Sequence, residues 1–149
     1  MQNIYYYHTV VGKIGICEED GLITEILFID DDENSLTERK VRETQIIKCA
    51  SNQLKEYFVG QRRVFDLSLS INGTPFQTMV WNALKAIPYG ETRSYKDIAI
   101  QIGKSKACRA IGMANNRNKI PIIIPCHRVI GSKGVLVGYG GGLRIKSSG

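Results

Sequence analysis

The sequence has 149 residues, 43% of them hydrophobic and 23% charged, which is typical of one globular domain or of two small subdomains that share a core. Its longest apolar run, Ile120 to Cys126, is far too short to span a membrane, and the N-terminus lacks the basic and apolar regions of a secretory signal. The four cysteines include no CxxC pair, which argues against a zinc ribbon or a thioredoxin motif. We therefore expect reduced thiols in a cytoplasmic protein.

The net charge of +6 conceals a strong asymmetry between the two halves of the chain. Residues 1–72 carry 8 lysines and arginines against 12 acidic residues, whereas residues 73–149 carry 12 basic residues against only Glu91 and Asp97. An excess of basic charge on one part of a protein is typical of a polyanion partner. The charge distribution therefore favours a nucleic acid as the partner of the second half.

The first 72 residues predict a small α/β subdomain whose strands form an antiparallel sheet. Turn signals at Gly12 and at the Asp20-Gly21 dipeptide separate short segments rich in aromatic and β-branched residues. The predicted strands are residues 3–10, 13–19 and 22–29, and the alternating segment 64–71 predicts a further one. This half shows no catalytic cluster, since its histidine and its first cysteine both fall in strand patterns.

One helix is predicted in the same half. Ser35 is followed three residues later by Glu38, which is the pattern of a capping box. Apolar residues at helical spacing continue from there to about Phe58, and Gly60 ends the pattern. The helix is therefore predicted to run from Ser35 to about Phe58.

A linker at Asn72-Gly73 predicts the start of a second domain, over residues 73–149. The segment TPFQ, which begins at Thr74, combines an N-cap, a proline at the first helical position and a capping-box glutamine. The helix that it opens is predicted to reach about Ile87, with Trp81 on its core face.

Two shorter helices follow and predict a helix-turn-helix. The first is predicted over residues 95–102 and the second from Ser105 to about Asn116, with Gly103 in the turn between them. The second helix would carry Lys106, Arg109 and several small residues, a combination that lets a helix approach a DNA backbone closely.

The segment PCHRV brings Cys126, His127 and Arg128 together at the end of an apolar run. Zinc would need further clustered ligands, and a cysteine protease would place its histidine on another element, so neither interpretation is favoured. Adjacent residues of a strand point to opposite faces, so thiol and imidazole can serve one site only if the backbone leaves strand geometry or a water relays the proton. The residues alone leave both a structural cysteine and a nucleophile open.

Four segments in this half resemble the methylated-DNA–protein cysteine methyltransferase family in order and spacing. They are GTPFQTMVWNALKAIPYGETRSYKDIA, ACRAIGMAN, IIIPCHRVIGSKG and GYGGGL. The resemblance implies an α/β N-terminal subdomain followed by a mostly helical domain that is like a winged helix-turn-helix. It also implies a monomer without metal or cofactor that transfers an alkyl group, once and irreversibly, from the 6-oxygen of guanine in DNA to a cysteine.

The resemblance also implies a role for individual residues. Cys126 would accept the alkyl group, and His127 would deprotonate it through a bound water. Tyr95 would crowd the target phosphate and donate a proton towards the departing guanine. Asn118 would tie the recognition helix to the active-site segment, and Arg109 would fill the gap left by the extruded nucleotide.

Further positions are expected to contact DNA or the extruded base. We expect Lys106 and Arg128 to join Arg109 and Tyr95 in binding DNA. The base pocket would be formed by the carbonyl groups of the reactive cysteine and of Val129, and by the backbone around Tyr139 and Gly140.

The sequence departs from the family pattern at two places. In the family a helix after GGL supplies a glutamate that orients the histidine, whereas this sequence ends at Gly149 before such a residue. The C-terminal helix is therefore expected to be missing, and His127 to be a weaker base unless another acid substitutes. Lys119 replaces a family proline, which affects the expected local backbone.

Two other functions remain open from the sequence. A lesion-binding protein of the alkyltransferase-like kind would extrude the damaged base without accepting its alkyl group. Such proteins carry another residue in place of the cysteine, so Cys126 argues against this interpretation. An ordinary helix-turn-helix regulator would bind a preferred DNA sequence regardless of damage.

Overall fold

The computed structural model describes residues 2–29 and 40–130. The chain divides into two compact units, Met1–Ser70 and Ile71–Gly149. In the described ranges no helix has both the length and the apolar character needed to cross a membrane.

The first unit is built on a four-stranded sheet with the order β3-β2-β1-β4. Its strands are β1 (Asn3–Thr9), β2 (Gly12–Glu19), β3 (Leu22–Phe28) and β4 (Lys40–Val41). The first three strands pair antiparallel, as predicted, and the turn between β2 and β3 has positive φ at both Asp20 and Gly21. Because β4 pairs parallel to β1, the sheet is mixed rather than purely antiparallel.

The helix of this unit, α1, spans Gln45–Phe58, so the prediction that it begins at Ser35 is wrong. The Ser35 capping-box pattern itself lies outside the described residues. The backbone just before α1 bonds to β1 instead of forming a helical turn: the Lys40 N–H donates to the Gln2 carbonyl at 3.0 Å, and the Arg42 N–H to the Ile4 carbonyl at 2.9 Å. Pairing with the sheet has overridden local helical preference.

Residues 64–71 do not form the predicted strand. Within this segment Leu69 makes a single bridge to Ile23, supported by hydrogen bonds on either side of that contact. Further back, the buried side chain of Gln53 donates to the Asp66 carbonyl at 3.1 Å and accepts from the Asp66 N–H at 2.8 Å. An amide side chain therefore satisfies backbone groups that a neighbouring strand would otherwise bind.

The second unit contains three helices and a two-stranded parallel sheet among its described residues. They are α2 (Pro75–Lys85), β5 (Arg93–Ser94), α3 (Tyr95–Gln101), α4 (Cys108–Asn116) and β6 (Val129–Ile130). Thr74 caps α2 and Ser94 caps α3, each in a complete capping box, and Gly103 has a φ of 76° where α3 ends. The helical domain predicted from the sequence is confirmed.

The recognition helix of the predicted helix-turn-helix begins later than expected. It starts at Cys108, because the residues before it form a turn in which the Ala107 N–H donates to the Lys104 carbonyl at 2.9 Å. Ser105 therefore opens no helix, and Lys106 lies in the turn rather than on α4. Arg109 lies on the first turn of the helix and is exposed.

Trp81 joins α2 to α4 in the core of this unit. Its side chain is 4% exposed, and its indole Nε1 donates to the Ala114 carbonyl at 2.9 Å. Gly73 lies so close to the indole that a Cβ built there would be 2.6 Å from Cζ3 of the ring. A glycine is therefore required where the chain enters α2.

We predict opposite effects from two glycine-to-alanine substitutions in this unit. Gly73→Ala should lower the free energy of unfolding by about 1–3 kcal/mol, because the methyl group displaces Trp81. Gly112→Ala should raise it by about 0.5–1 kcal/mol, because Gly112 is inside α4 and an added Cβ meets only ordinary contacts with Tyr95, at 3.7 Å or more. Denaturant unfolding of both variants checks the pair, and equal stability of the two would contradict this account of Gly73.

Candidate functional site

The short parallel sheet brings together two segments that are far apart in sequence. Arg93 of β5 lies opposite Val129 of β6, and Ser94 lies opposite Ile130. Strand β5 leads directly into α3, whose first residue is Tyr95, while β6 directly follows the PCHR segment. Tyr95 is thereby brought to the segment that carries Cys126.

The backbone leaves strand geometry at the thiol itself. Cys126, His127 and Arg128 form a turn of 3₁₀ helix, in which successive side chains are about 120° apart rather than on opposite faces. Cys126 is 3% exposed and His127 is 5% exposed. The geometric obstacle to a joint role of these neighbours is therefore absent.

The turn that presents Cys126 is closed on the carbonyl of Ile124. The Cys126 N–H donates to this carbonyl at 2.8 Å across Pro125, whose φ of −77° and ψ of 69° form an inverse γ-turn. Asn118 Nδ2 donates to the same oxygen at 2.8 Å, and Asn118 Oδ1 accepts from the Ile120 N–H at 2.9 Å. The Asn118 side chain thus connects the end of the recognition helix to the turn before the thiol.

The apolar segment before this turn is itself bent. Ile122 has a φ of 74°, which is uncommon for any side chain and unfavourable for a β-branched one. The Ile124 N–H closes the bend by donating to the Ile120 carbonyl at 2.9 Å. Lys119, which stands where the family has proline, is exposed and leaves the Asn118 bonds intact.

The side chain of Arg128 makes contacts within the protein. Its Nη1 donates to the Ile87 carbonyl at 2.7 Å, and its guanidinium carbon lies 5.7 Å from the centre of the Tyr89 ring. This contact joins the 3₁₀ turn to the segment that follows α2. Part of its donor capacity is therefore used within the fold, and a DNA contact of Arg128 stays a prediction.

Asn115 is a polar residue of the site that the sequence prediction missed. It is 1% exposed, and its Nδ2 lies 3.4 Å from the Cys126 carbonyl. The signal was its spacing, since it follows the buried Ile111 by four residues and therefore lies on the apolar face of α4.

Burial raises the pKa of the Tyr95 phenol above its ordinary value. A hydrogen bond with the Asn115 side chain opposes that rise, and the negative charge of an ionised Cys126 adds to it. The Tyr95 hydroxyl therefore remains protonated at neutral pH.

Exposed cations line the helix-turn-helix. They are Lys104, Lys106, Arg109, Arg117 and Lys119. The acidic residues of residues 73–149 are engaged locally, since Glu91 Oε1 lies 3.0 Å from Arg93 Nη2 and Asp97 accepts from the Ser94 N–H at 3.0 Å. The positive charge around α4 is therefore left for a polyanion.

The predicted base pocket is described only in part. Val129 is buried, and its N–H donates to the Cys126 carbonyl. Tyr139 and Gly140 lie outside the described residues. No cluster of potential metal ligands occurs in the parts of the chain that the structure describes.

Both parts of the chain match family models. Residues 4–71 match the ribonuclease-like domain of 6-O-methylguanine DNA methyltransferase, and residues 75–148 match its DNA-binding domain. The chain belongs to the 6-O-methylguanine DNA methyltransferase family. The resemblance seen in the sequence is thereby confirmed.

Individual relatives cover nearly the whole chain. The constitutive methylated-DNA–protein-cysteine methyltransferase of Bacillus subtilis is 47% identical over 143 residues, which are 91% of this chain and 87% of that protein. The crystal structure of Mycobacterium tuberculosis O6-methylguanine methyltransferase superposes with a TM-score of 0.88 at 40% identity, covering 99% of this chain and 90% of that one. A structure of the M. tuberculosis protein in complex with DNA gives a TM-score of 0.86 at 40% identity, with 97% and 88% covered.

We predict that Asn118→Leu loosens the turn before the thiol. The substitution keeps the size of the side chain but removes its hydrogen bonds to Ile124 and Ile120, so the free energy of unfolding should fall by about 1–3 kcal/mol. Hydrogen exchange at the Cys126 amide should accelerate, because Asn118 no longer fixes the Ile124 carbonyl that accepts this N–H and the turn can open more often. The same change at the exposed Asn116 is the control, and equal exchange rates in both variants would contradict the role of Asn118.

Proposed function

We propose that this protein repairs alkylated DNA directly, by moving a methyl or larger alkyl group from the 6-oxygen of guanine to the sulfur of Cys126. The observation that carries the proposal is the buried Cys126 thiol, on a turn that the pairing of β5 with β6 brings to the segment of Tyr95, in a chain that matches the methyltransferase family in both units. The 73–149 domain binds DNA and carries the acceptor, and the 1–72 domain supports it.

The reaction is a single displacement at the alkyl carbon. The Cys126 sulfur gives up its proton to His127, through a water, and forms a bond to the carbon while the bond from carbon to the guanine oxygen breaks. The departing guanine takes a proton from the Tyr95 hydroxyl, which regains one from solvent. The products are intact guanine and a thioether, a stable group that ends the protein's activity after one turnover.

Burial of the thiol requires that the base leaves the duplex. Cys126 is 3% exposed, so an oxygen inside a stacked helix cannot reach it. Extrusion of a nucleotide costs ~2–4 kcal/mol and costs least for a lesion that pairs badly. Arg109 is exposed on the first turn of α4 and is proposed to fill the gap, which offsets part of this cost.

Further residues are proposed to contact DNA or the extruded base. Lys106 and Arg128 are proposed to contact DNA phosphates, and Val129, Tyr139 and Gly140 to surround the extruded base. We propose that the protein acts as a cytoplasmic monomer on double-stranded DNA that carries alkylated guanine. The DNA complex of the M. tuberculosis relative and the basic surface around α4 support DNA as the partner.

Incubation with a duplex that contains methylguanine is predicted to add one methyl group, in place of a proton, to Cys126. Tryptic cleavage after Lys119 and Arg128 isolates this residue in the peptide 120–128, while Cys108 falls in the separate peptide 107–109. Mass spectrometry should show stoichiometric methylation of the first peptide only. Cys126→Ser should abolish the modification, and Cys108→Ser should retain it.

The same sample separates the alternatives. Tight, lesion-dependent binding without a mass change would show a lesion-binding protein and contradict alkyl transfer. Binding that depends on sequence but not on the lesion would show a helix-turn-helix regulator.

Arg109 and Lys106 are predicted to act at different stages. At saturating duplex, Arg109→Ala should slow methylation of Cys126 on the order of tenfold, because extrusion loses its support. Its rate with free methylguanine base should be unchanged, since no extrusion is needed. Lys106→Ala should weaken binding and lower the salt dependence of affinity by about one phosphate contact, with the saturated rate unchanged. An equal loss with duplex and free base for Arg109→Ala would contradict its role as a wedge.

A further inference from the structure

Asn115 lies between Tyr95, the proposed proton donor, and the backbone carbonyl of Cys126. It is on the buried face of α4, three residues after Gly112, where a methyl group added to that glycine would lie 3.7 Å from the Tyr95 ring. The Tyr95 ring therefore lies along α4 with its hydroxyl towards Asn115, and on the other side Asn115 Nδ2 faces the Cys126 carbonyl at 3.4 Å.

The orientation of the Asn115 amide follows from these partners. Rotating the amide by half a turn would place its oxygen against the Cys126 carbonyl oxygen, and two acceptors repel each other. The amide nitrogen carries two hydrogens, so it has a second one to donate besides the one that faces the Cys126 carbonyl. A Tyr95 oxygen that accepts this second hydrogen keeps its own O–H proton available for the base.

Stability alone does not explain an asparagine at this position. Its Oδ1 is buried and has no hydrogen-bond partner among the described residues, which is unfavourable. The Cys126 carbonyl already accepts the Val129 N–H, so it does not depend on Asn115 for a donor. A leucine of similar size would avoid the unsatisfied oxygen.

We propose that Asn115 is a positioning residue of alkyl transfer, which holds the Tyr95 hydroxyl and the Cys126 carbonyl in one fixed arrangement around the extruded base. The inference rests on the proposed function, since it assigns a role within that reaction. Asn115 acts through Tyr95 and Cys126. The hydroxyl of Tyr95 and the thiol of Cys126 are thereby held in a constant geometry around the extruded base.

A double-mutant cycle between Asn115→Leu and Tyr95→Phe tests this role. The rate of Cys126 methylation is measured for the wild type, both single variants and the double variant at saturating methylguanine duplex. In the wild-type background, Asn115→Leu should slow methylation of Cys126 by about tenfold, which corresponds to the loss of one hydrogen bond. The affinity for DNA should stay unchanged. In the Tyr95→Phe background the same substitution should cost about twofold or less, because the hydroxyl that it orients is already absent.

The controls separate this inference from a packing role and from the proposed function. Asn82→Leu, the same change at an exposed position of α2, should leave the rate unchanged, and Asn115→Leu should melt at or above the wild-type temperature. Equal rate losses from Asn115→Leu in both backgrounds would overturn the inference while leaving alkyl transfer intact. A wild type that takes up no methyl group would overturn the proposed function and this inference with it.

Asn115→Asp provides a second test that does not depend on the leucine variant folding. Burial raises the pKa of a carboxyl group, and the protonated form keeps one O–H donor. As the pH falls from about 8 to 6, the aspartate variant should therefore become faster than Asn115→Leu, with both expressed relative to wild type. An aspartate variant that is no faster than the leucine variant throughout this range would overturn the inference.

Discussion

The carbonyl of Ile124 holds the hydrogen bonds on which the site depends. It accepts the Cys126 N–H across Pro125 and the amide of Asn118, each at 2.8 Å. These bonds bend the chain out of the extended form just before the thiol and allow a 3₁₀ turn to follow. Without that bend, Cys126 and His127 would point to opposite faces of a strand. The imidazole of His127 could then not take the proton of the thiol from the same side.

The buried thiol in the interior of the second unit and the basic residues on its surface have different proposed roles. The thiol is almost wholly enclosed, so under the proposed function it can be reached only by a base that has left the duplex. Arg109, which is proposed to support extrusion of the base, is exposed on the basic helix α4. Asn115 connects the two regions, because it lies on the buried face of that same helix and faces both Tyr95 and Cys126.

The sequence predicted most strongly where local chemistry decides the structure. The hairpin at Asp20-Gly21, the capping box at Thr74 and the helix that begins at Tyr95 were predicted because each signal is complete within a few adjacent residues. The failures involve distant partners. Helix α1 begins at Gln45 because the residues before it pair with β1, and residues 64–71 lack a strand because a side chain of α1 binds their backbone.

The candidate site shows the same division. The family motifs predicted Cys126, His127 and Tyr95 as site residues, and these assignments stay predictions. The 3₁₀ turn was not predicted, since it depends on Asn118 and on the bend at Ile122. Asn115 was missed because its partners come from two other segments.

The most direct measurement of base extrusion is stopped-flow fluorescence of 2-aminopurine placed beside methylguanine in the duplex. We predict a fluorescence rise that precedes methylation of Cys126 and persists with Cys126→Ser; methylation without any preceding rise would contradict a buried thiol that waits for an extruded base.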